Sequence, residues 1–265
     1  MGGEGKGVRT IIEMVQITRL DCAIASAGFM RSALAQAVHH TRHRRVFQRT
    51  LLDQPMMRAV LADLGLELEA AIALVMRLSR AIDCAPHDPL EAARARLLIP
   101  VAKYWVCKTA PGFIYEALEC LGGNGYVEEA MLARLYREAP LNAIWEGSGN
   151  VMCLDVLRAL SRDSEGSRAV LEALGQATAD LPGTADALAS VSELLTRGDA
   201  EAHARAAVER IATVAAAAAL RGSAPAEFPE IFARARLREG RSTTYGTATL
   251  SGQEMTRLIA RMLPD

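Results

Sequence analysis

Aromatic side chains are scarce in this 265-residue chain, at 5%, while apolar residues as a whole reach 51%. An alanine-, leucine- and arginine-rich chain short of aromatics is the composition of a helix former and argues against a sheet-based core. Charge of one sign is lacking too: 30 Lys and Arg against 31 Asp and Glu give a net −1, so no global field points to nucleic acid or an anionic membrane. The five cysteines (Cys22, Cys84, Cys107, Cys120, Cys153) never form a CxxC pair, which excludes a zinc ribbon and argues for reduced thiols, not a disulfide frame. No apolar run is long enough to span a bilayer, and "MGGEGKGVRT" lacks the apolar stretch of a signal peptide. A soluble, cytoplasmic protein is expected.

What is present is helical periodicity. One long helix is predicted from Val8 to about Arg45, with small residues ("CAIASAG") suited to close helix contact. The cleanest pattern runs from Gln54 to Ala81, where Met57, Val60, Leu61, Leu64 and Leu68 recur at helical spacing and Glu67 falls off that face. A third helix is predicted from Leu90 to Leu121, bent or broken at Pro100 and Pro111. The glycines of "LGGNGY" end it, a short helix follows from Glu128 to Glu138, and a fourth helix begins near Ser148. No strand is expected before residue 160. The pattern predicts an all-α chain: an antiparallel four-helix bundle over residues 1–160, with a helical extension over 161–265 whose final helix spans Gln253 to Met262.

The stretch "LNAIWEGSGN" (141–150) places a carboxylate, Glu146, between Trp145 and Gly147 at a helix entry. Enclosed by the ring and the backbone, such a carboxyl would have its pKa raised and could serve as a general base. Read by itself the stretch fits a plain helix N-terminus as well, with Ser148 and Asn150 as capping residues and Glu146 favoured by the helix dipole.

Together "LECLGGNGY", "LARLYREAP" and "IWEGSGNVMCLDVLRAL" resemble the C-terminal helical domain of the acyl-CoA dehydrogenases, flavoproteins that oxidise the Cα–Cβ bond of acyl-CoA thioesters. The variants are most similar to the alkylation-response subfamily typified by AidB, whose members carry a further C-terminal helical region. The resemblance covers residues 1 to about 160. In the family a helical domain and a β-domain precede this segment, and neither is in the sequence at hand.

The resemblance implies FAD as cofactor and acyl-CoA as substrate. It makes Glu146 the catalytic base; the family's alternative base position is Thr18 here, just before Arg19. Arg19 and Trp145 would lie at the substrate. Gly147, Ser148 and Asn150 would lie against FAD, as would Glu119 with the turn glycines Gly122 and Gly123. Arg44 and Gln54 match residues that reach the FAD of a neighbouring subunit, which implies a homo-oligomer, dimer or tetramer. Electron-transfer flavoprotein is the implied redox partner. The alternative implied by the subfamily is a flavin- and DNA-binding stress-response protein with little dehydrogenase activity, its DNA contact provided by Arg234, Arg236, Arg238 and Arg241. Read as residues alone, that cluster is equally a solvated helix face. No metal site is expected: His39 and His43 share a helix face, but Arg42, Arg44 and Arg45 would repel a cation.

Overall fold

The computed structural model describes residues 3, 5–240 and 242–263. Four helices form the expected bundle: α1 (Gly7–His43), α2 (Pro55–Cys84), α3 (Pro89–Glu119) and, after two shorter helices, α6 (Gly149–Arg162). The first three are joined by short connections, so they run up, down and up. Helix α6 runs down against α3, because Gly149 sits against Tyr104 and Lys108 while Asp155, further along, reaches Arg96. Proline at N1 starts both α2 and α3, where its missing N–H has no partner to lose; Asp88 caps α3 by accepting from the Leu90 and Glu91 amides.

Helix α3 is continuous through Pro100 and Pro111, so of the bend or break expected there the break does not occur. Each proline removes one intrahelical bond, but Ile99, Pro100, Val101 and Ala110 are buried, and the packing outweighs those losses. After α3, Gly122 turns the chain at φ +60°, and Gly125 in α4 (Gly123–Tyr126) lies against the Leu118 carbonyl, where no side chain has room. The expected short helix begins later than its sequence pattern suggested, as α5 (Met131–Asn142). Between α1 and α2 the structure adds two strands not anticipated from sequence. Arg45–Val46 (β1) pairs antiparallel with Arg49–Thr50 (β2), a hairpin too short to show alternation.

The chain continues through α7 (Ser164–Ala177), α8 (Thr184–Thr196), α9 (Ala200–Leu220), α10 (Phe228–Ala233) and α11 (Gly252–Met262). These helices do not trail away from the bundle. The alanine-rich face of α9, including Ala212, Ala216 and Leu220, is buried in the same apolar core as Leu64, Leu74 and Val106, and Met262 of α11 packs on Gly65 of α2. Glu67, expected off the core face of α2, is fully buried there, because the extension brings Arg236 to it. All five cysteines are free. Among the described residues no helix is long and apolar enough to cross a membrane.

Candidate functional site

The loop between α5 and α6, residues 143–148, carries Glu146 and is held from beneath by a residue that periodicity alone passes over. Lys103 interrupts the apolar run "LLIPVAKYWVC" of α3 and is only 1% exposed. Its ammonium donates to the carbonyl oxygens of Asn142 (3.0 Å), Trp145 (2.8 Å) and Gly147 (2.8 Å). Burial pushes its pKa below that of an ordinary lysine. The lone cation in an apolar stretch was the signal available in the sequence.

From the side, Arg19 of α1 donates through Nε to the Glu146 carbonyl (3.2 Å) and through Nη1 to Asp155 of α6 (2.7 Å). Arg96 of α3 grips the same carboxylate at 2.9 and 3.1 Å. Burial pushes the Asp155 carboxyl up, but the two arginines outweigh it and hold the group below the usual carboxylate range. Asp155 shares the buried face of α6 with Met152, Val156 and Ala159, and an acid on an apolar face was its sequence signal.

Between these anchors Glu146 takes a left-handed backbone conformation, φ +57°, which costs a non-glycine residue about 1 kcal/mol. Gly147 follows at φ +108°, where a Cβ would stand 2.6 Å from the Met152 Cε. The Glu146 side chain is exposed, so the enclosure expected from sequence is not built within this chain. Trp145 does not cover it: the indole is 51% exposed and donates through Nε1 to Asn142 Oδ1 at 3.1 Å. Ser148 precedes α6 in extended conformation without making a capping bond, contrary to the capping alternative. The first turn of α6 is therefore left without a side-chain cap from Ser148.

The other expected cofactor residues lie elsewhere. Glu119, Gly122 and Gly123 are exposed at the far end of α3, about 24 Å along the helix from Lys103. Arg44 is exposed at the end of α1, about 38 Å along that helix from Arg19. Gln54, half-buried, reaches back to the Val46 carbonyl at 3.4 Å under the hairpin. One copy of the chain therefore does not bring Arg44 and Glu146 to one place.

The basic cluster of the extension is not an exposed patch. The side chain of Arg236 is only 6% exposed, with Nη2 2.5 Å from Asp63 and Nε 2.8 Å from Glu67. Arg234 pairs with Glu254 at 2.9 Å, which leaves Arg238 exposed; Arg241 lies outside the described residues. The π turn after α10 places alternate arginines on opposite sides, and the acids of α2 draw one of them inside. A phosphate-binding surface built of all four is ruled out by that burial. On α1, His43 Nδ1 lies 2.8 Å from the His39 carbonyl, and among the described residues no three His, Cys, Asp or Glu gather as a metal site.

Residues 5–161 match the profile of the acyl-CoA dehydrogenase C-terminal domain. The chain belongs to the acyl-CoA dehydrogenase family. Within that family it is 51% identical over 164 residues to AidB of Escherichia coli, a match covering 62% of this chain and 30% of that protein. It is 34% identical over 186 residues to acyl-CoA dehydrogenase family member 11 of Caenorhabditis elegans, covering 69% of this chain and 30% of that protein. The AidB-type likeness expected from sequence agrees with these relatives. The crystal structure of C. elegans ACDH-11 in complex with C11-CoA superposes with a TM-score of 0.82 at 26% identity, over 98% of this chain and 48% of that one. The helices beyond residue 161 thus have counterparts in another acyl-CoA dehydrogenase family member. The chain spans less than a third of the length of the two curated relatives.

Proposed function

We propose that this chain is the C-terminal part of an FAD-dependent oxidoreductase of the acyl-CoA dehydrogenase family that introduces an α,β double bond into acyl-CoA thioesters. The observation that carries the reading is Glu146: a carboxylate with an exposed side chain on a loop whose backbone is fixed by two cations, beside an uncapped helix N-terminus.

The residues present fit a flavin dinucleotide. The 14-residue α6 offers first-turn N–H groups and an uncommitted Ser148 hydroxyl, donors suited to a cofactor's polar edge, with Gly147 and Asn150 beside them. Bound FAD supplies the acceptor for the hydride leaving Cβ. Glu146 removes the proton from Cα, and the rigid backbone under it keeps the carboxylate in register with that carbon. Trp145 and Ile144, both more than half exposed, give apolar surface for an acyl chain, and Arg19 keeps Glu146 in place at its edge. In this reading Arg44 and Gln54 serve the cofactor of a neighbouring copy, in keeping with the roughly 38 Å along α1 between Arg44 and Arg19, so flavin binding depends on a homo-oligomer; Glu119, Gly122 and Gly123 remain dinucleotide contacts. Electron-transfer flavoprotein is the proposed acceptor for reoxidation.

The test is spectroscopic. The chain is purified alone and after co-expression with a polypeptide equivalent to the part of its relatives that it does not span. A flavin absorbance band bleached by acyl-CoA supports the reading. Glu146→Gln should keep the flavin and slow bleaching by about a thousandfold. A flavin-loaded wild-type preparation that acyl-CoA leaves oxidised sinks it.

A further inference from the structure

We propose that Lys103 is a positioning residue for Glu146: its three-pronged grip on the loop backbone imposes the left-handed conformation of residue 146 and so sets the direction of the carboxylate. The inference rests on Glu146 being the base, but its structural half can be tested separately.

Chemistry makes the match specific. A protonated lysine has three N–H donors and no acceptor, and here three carbonyl oxygens converge on it at 2.8–3.0 Å. Among the described residues no carboxylate lies within ion-pairing distance of this ammonium. A buried cation without a counter-ion is costly, and a methionine would fill the same space without that cost. The carbonyls show what the charge does. Asn142 is the last residue of α5, and its carbonyl could be bonded simply to cap that helix. The other two belong to Trp145 and Gly147, beyond the helix and on either side of Glu146. Capping needs neither of them. Lys103 holds the peptide before residue 146 through the Trp145 carbonyl and pins the chain again at the Gly147 carbonyl, while Arg19 holds the Glu146 carbonyl between them; so clamped on both sides, residue 146 keeps a conformation that a glutamate avoids when free.

The experiment is amide hydrogen exchange on the full chain. Lys103→Met should speed exchange of the 143–149 amides by on the order of tenfold or more, while α2 and the rest of α3 keep wild-type protection. Lys103→Gln, with two donors for three carbonyls, should fall between. A coupled measurement tests the imposed strain directly. Glu146→Gly should raise Tm by about 2 °C with Lys103 present and by nothing detectable beside Lys103→Gln. Equal gains in both backgrounds, or unchanged exchange at 143–149 after removal of the ammonium, overturn the proposal. If neither Lys103 variant folds, Glu146→Gly alone still decides: no gain in Tm means there was no imposed strain to relieve. In the flavin-loaded enzyme Lys103→Gln should lower kcat and leave KM for acyl-CoA nearly unchanged. Wild-type kcat together with a loosened loop would confine Lys103 to a structural part and overturn the positioning role. An inactive wild-type enzyme would fault the assignment of Glu146 instead, and the exchange result would still stand.

Discussion

Among the described residues, two irregular segments contain non-glycine residues in the left-handed region, and they are held there in different ways. At the hairpin between α1 and α2, Phe47 (φ +50°) and Gln48 (φ +67°) are supported locally, by the strand pair and by Arg45 donating to the Gln48 carbonyl at 2.8 Å. Phe47 is 93% exposed. At the α5–α6 loop, Glu146 is held by groups from far away in sequence: Arg19, 127 residues earlier, and the buried Lys103 of α3. The hairpin's strain is a matter of turn geometry. The loop's strain is imposed by the body of the bundle, as expected where a side chain must be aimed.

The harshest way to break this comparison is at Asp155, which ties Arg19 to Arg96. Asp155→Ala should lower stability by about 3 kcal/mol in chemical denaturation, because two partly buried guanidinium groups lose their shared partner. No single substitution in the hairpin should approach that loss. Next comes Gly147→Ala, which combines a positive φ with a clash against Met152 and should cost about 2 kcal/mol. Acid should separate the two segments as well. The Asp155 carboxyl is held below its usual range, so its contribution is complete above the unfolded pKa of about 4 and is lost as pH falls through the lower folded value. Thermal unfolding followed from pH 5 downward should therefore show an acid limb that Asp155→Asn flattens. The smallest effect belongs to the hairpin: Phe47→Ser should change the stability of the single chain by less than about 0.5 kcal/mol. If the neighbouring-copy assignment holds, the same variant weakens self-association in sedimentation, which would sharpen the contrast between a loop braced from within and a hairpin completed from outside.

Much of the site was legible as residue types and little of it as geometry. The LGGNGY and IWEGSGN stretches were found from sequence because glycines and an isolated acid interrupt helical periodicity. The exposure of Glu146 was not legible, since burial depends on what covers a residue, and its flanking residues only suggest enclosure. The extension's arginines read as one basic run, yet Arg236 lies inside and Arg238 outside. Alternate positions on a π-helical turn point in different directions, and the acids that receive Arg236 are about 170 residues away in the chain. The prolines left a bend and a break of α3 both open, because local propensity carried no information about the packing that keeps the helix intact.

By itself, then, the order of residues determined the helices, their amphipathic faces and the family to which the bundle belongs, all of which arise from short-range periodicity and local turn chemistry. Tertiary structure alone decided which charges are buried, how far Arg44 lies from Glu146 within one chain, and how residue 146 is held. Those outcomes depend on distances between helices, and only packing sets them.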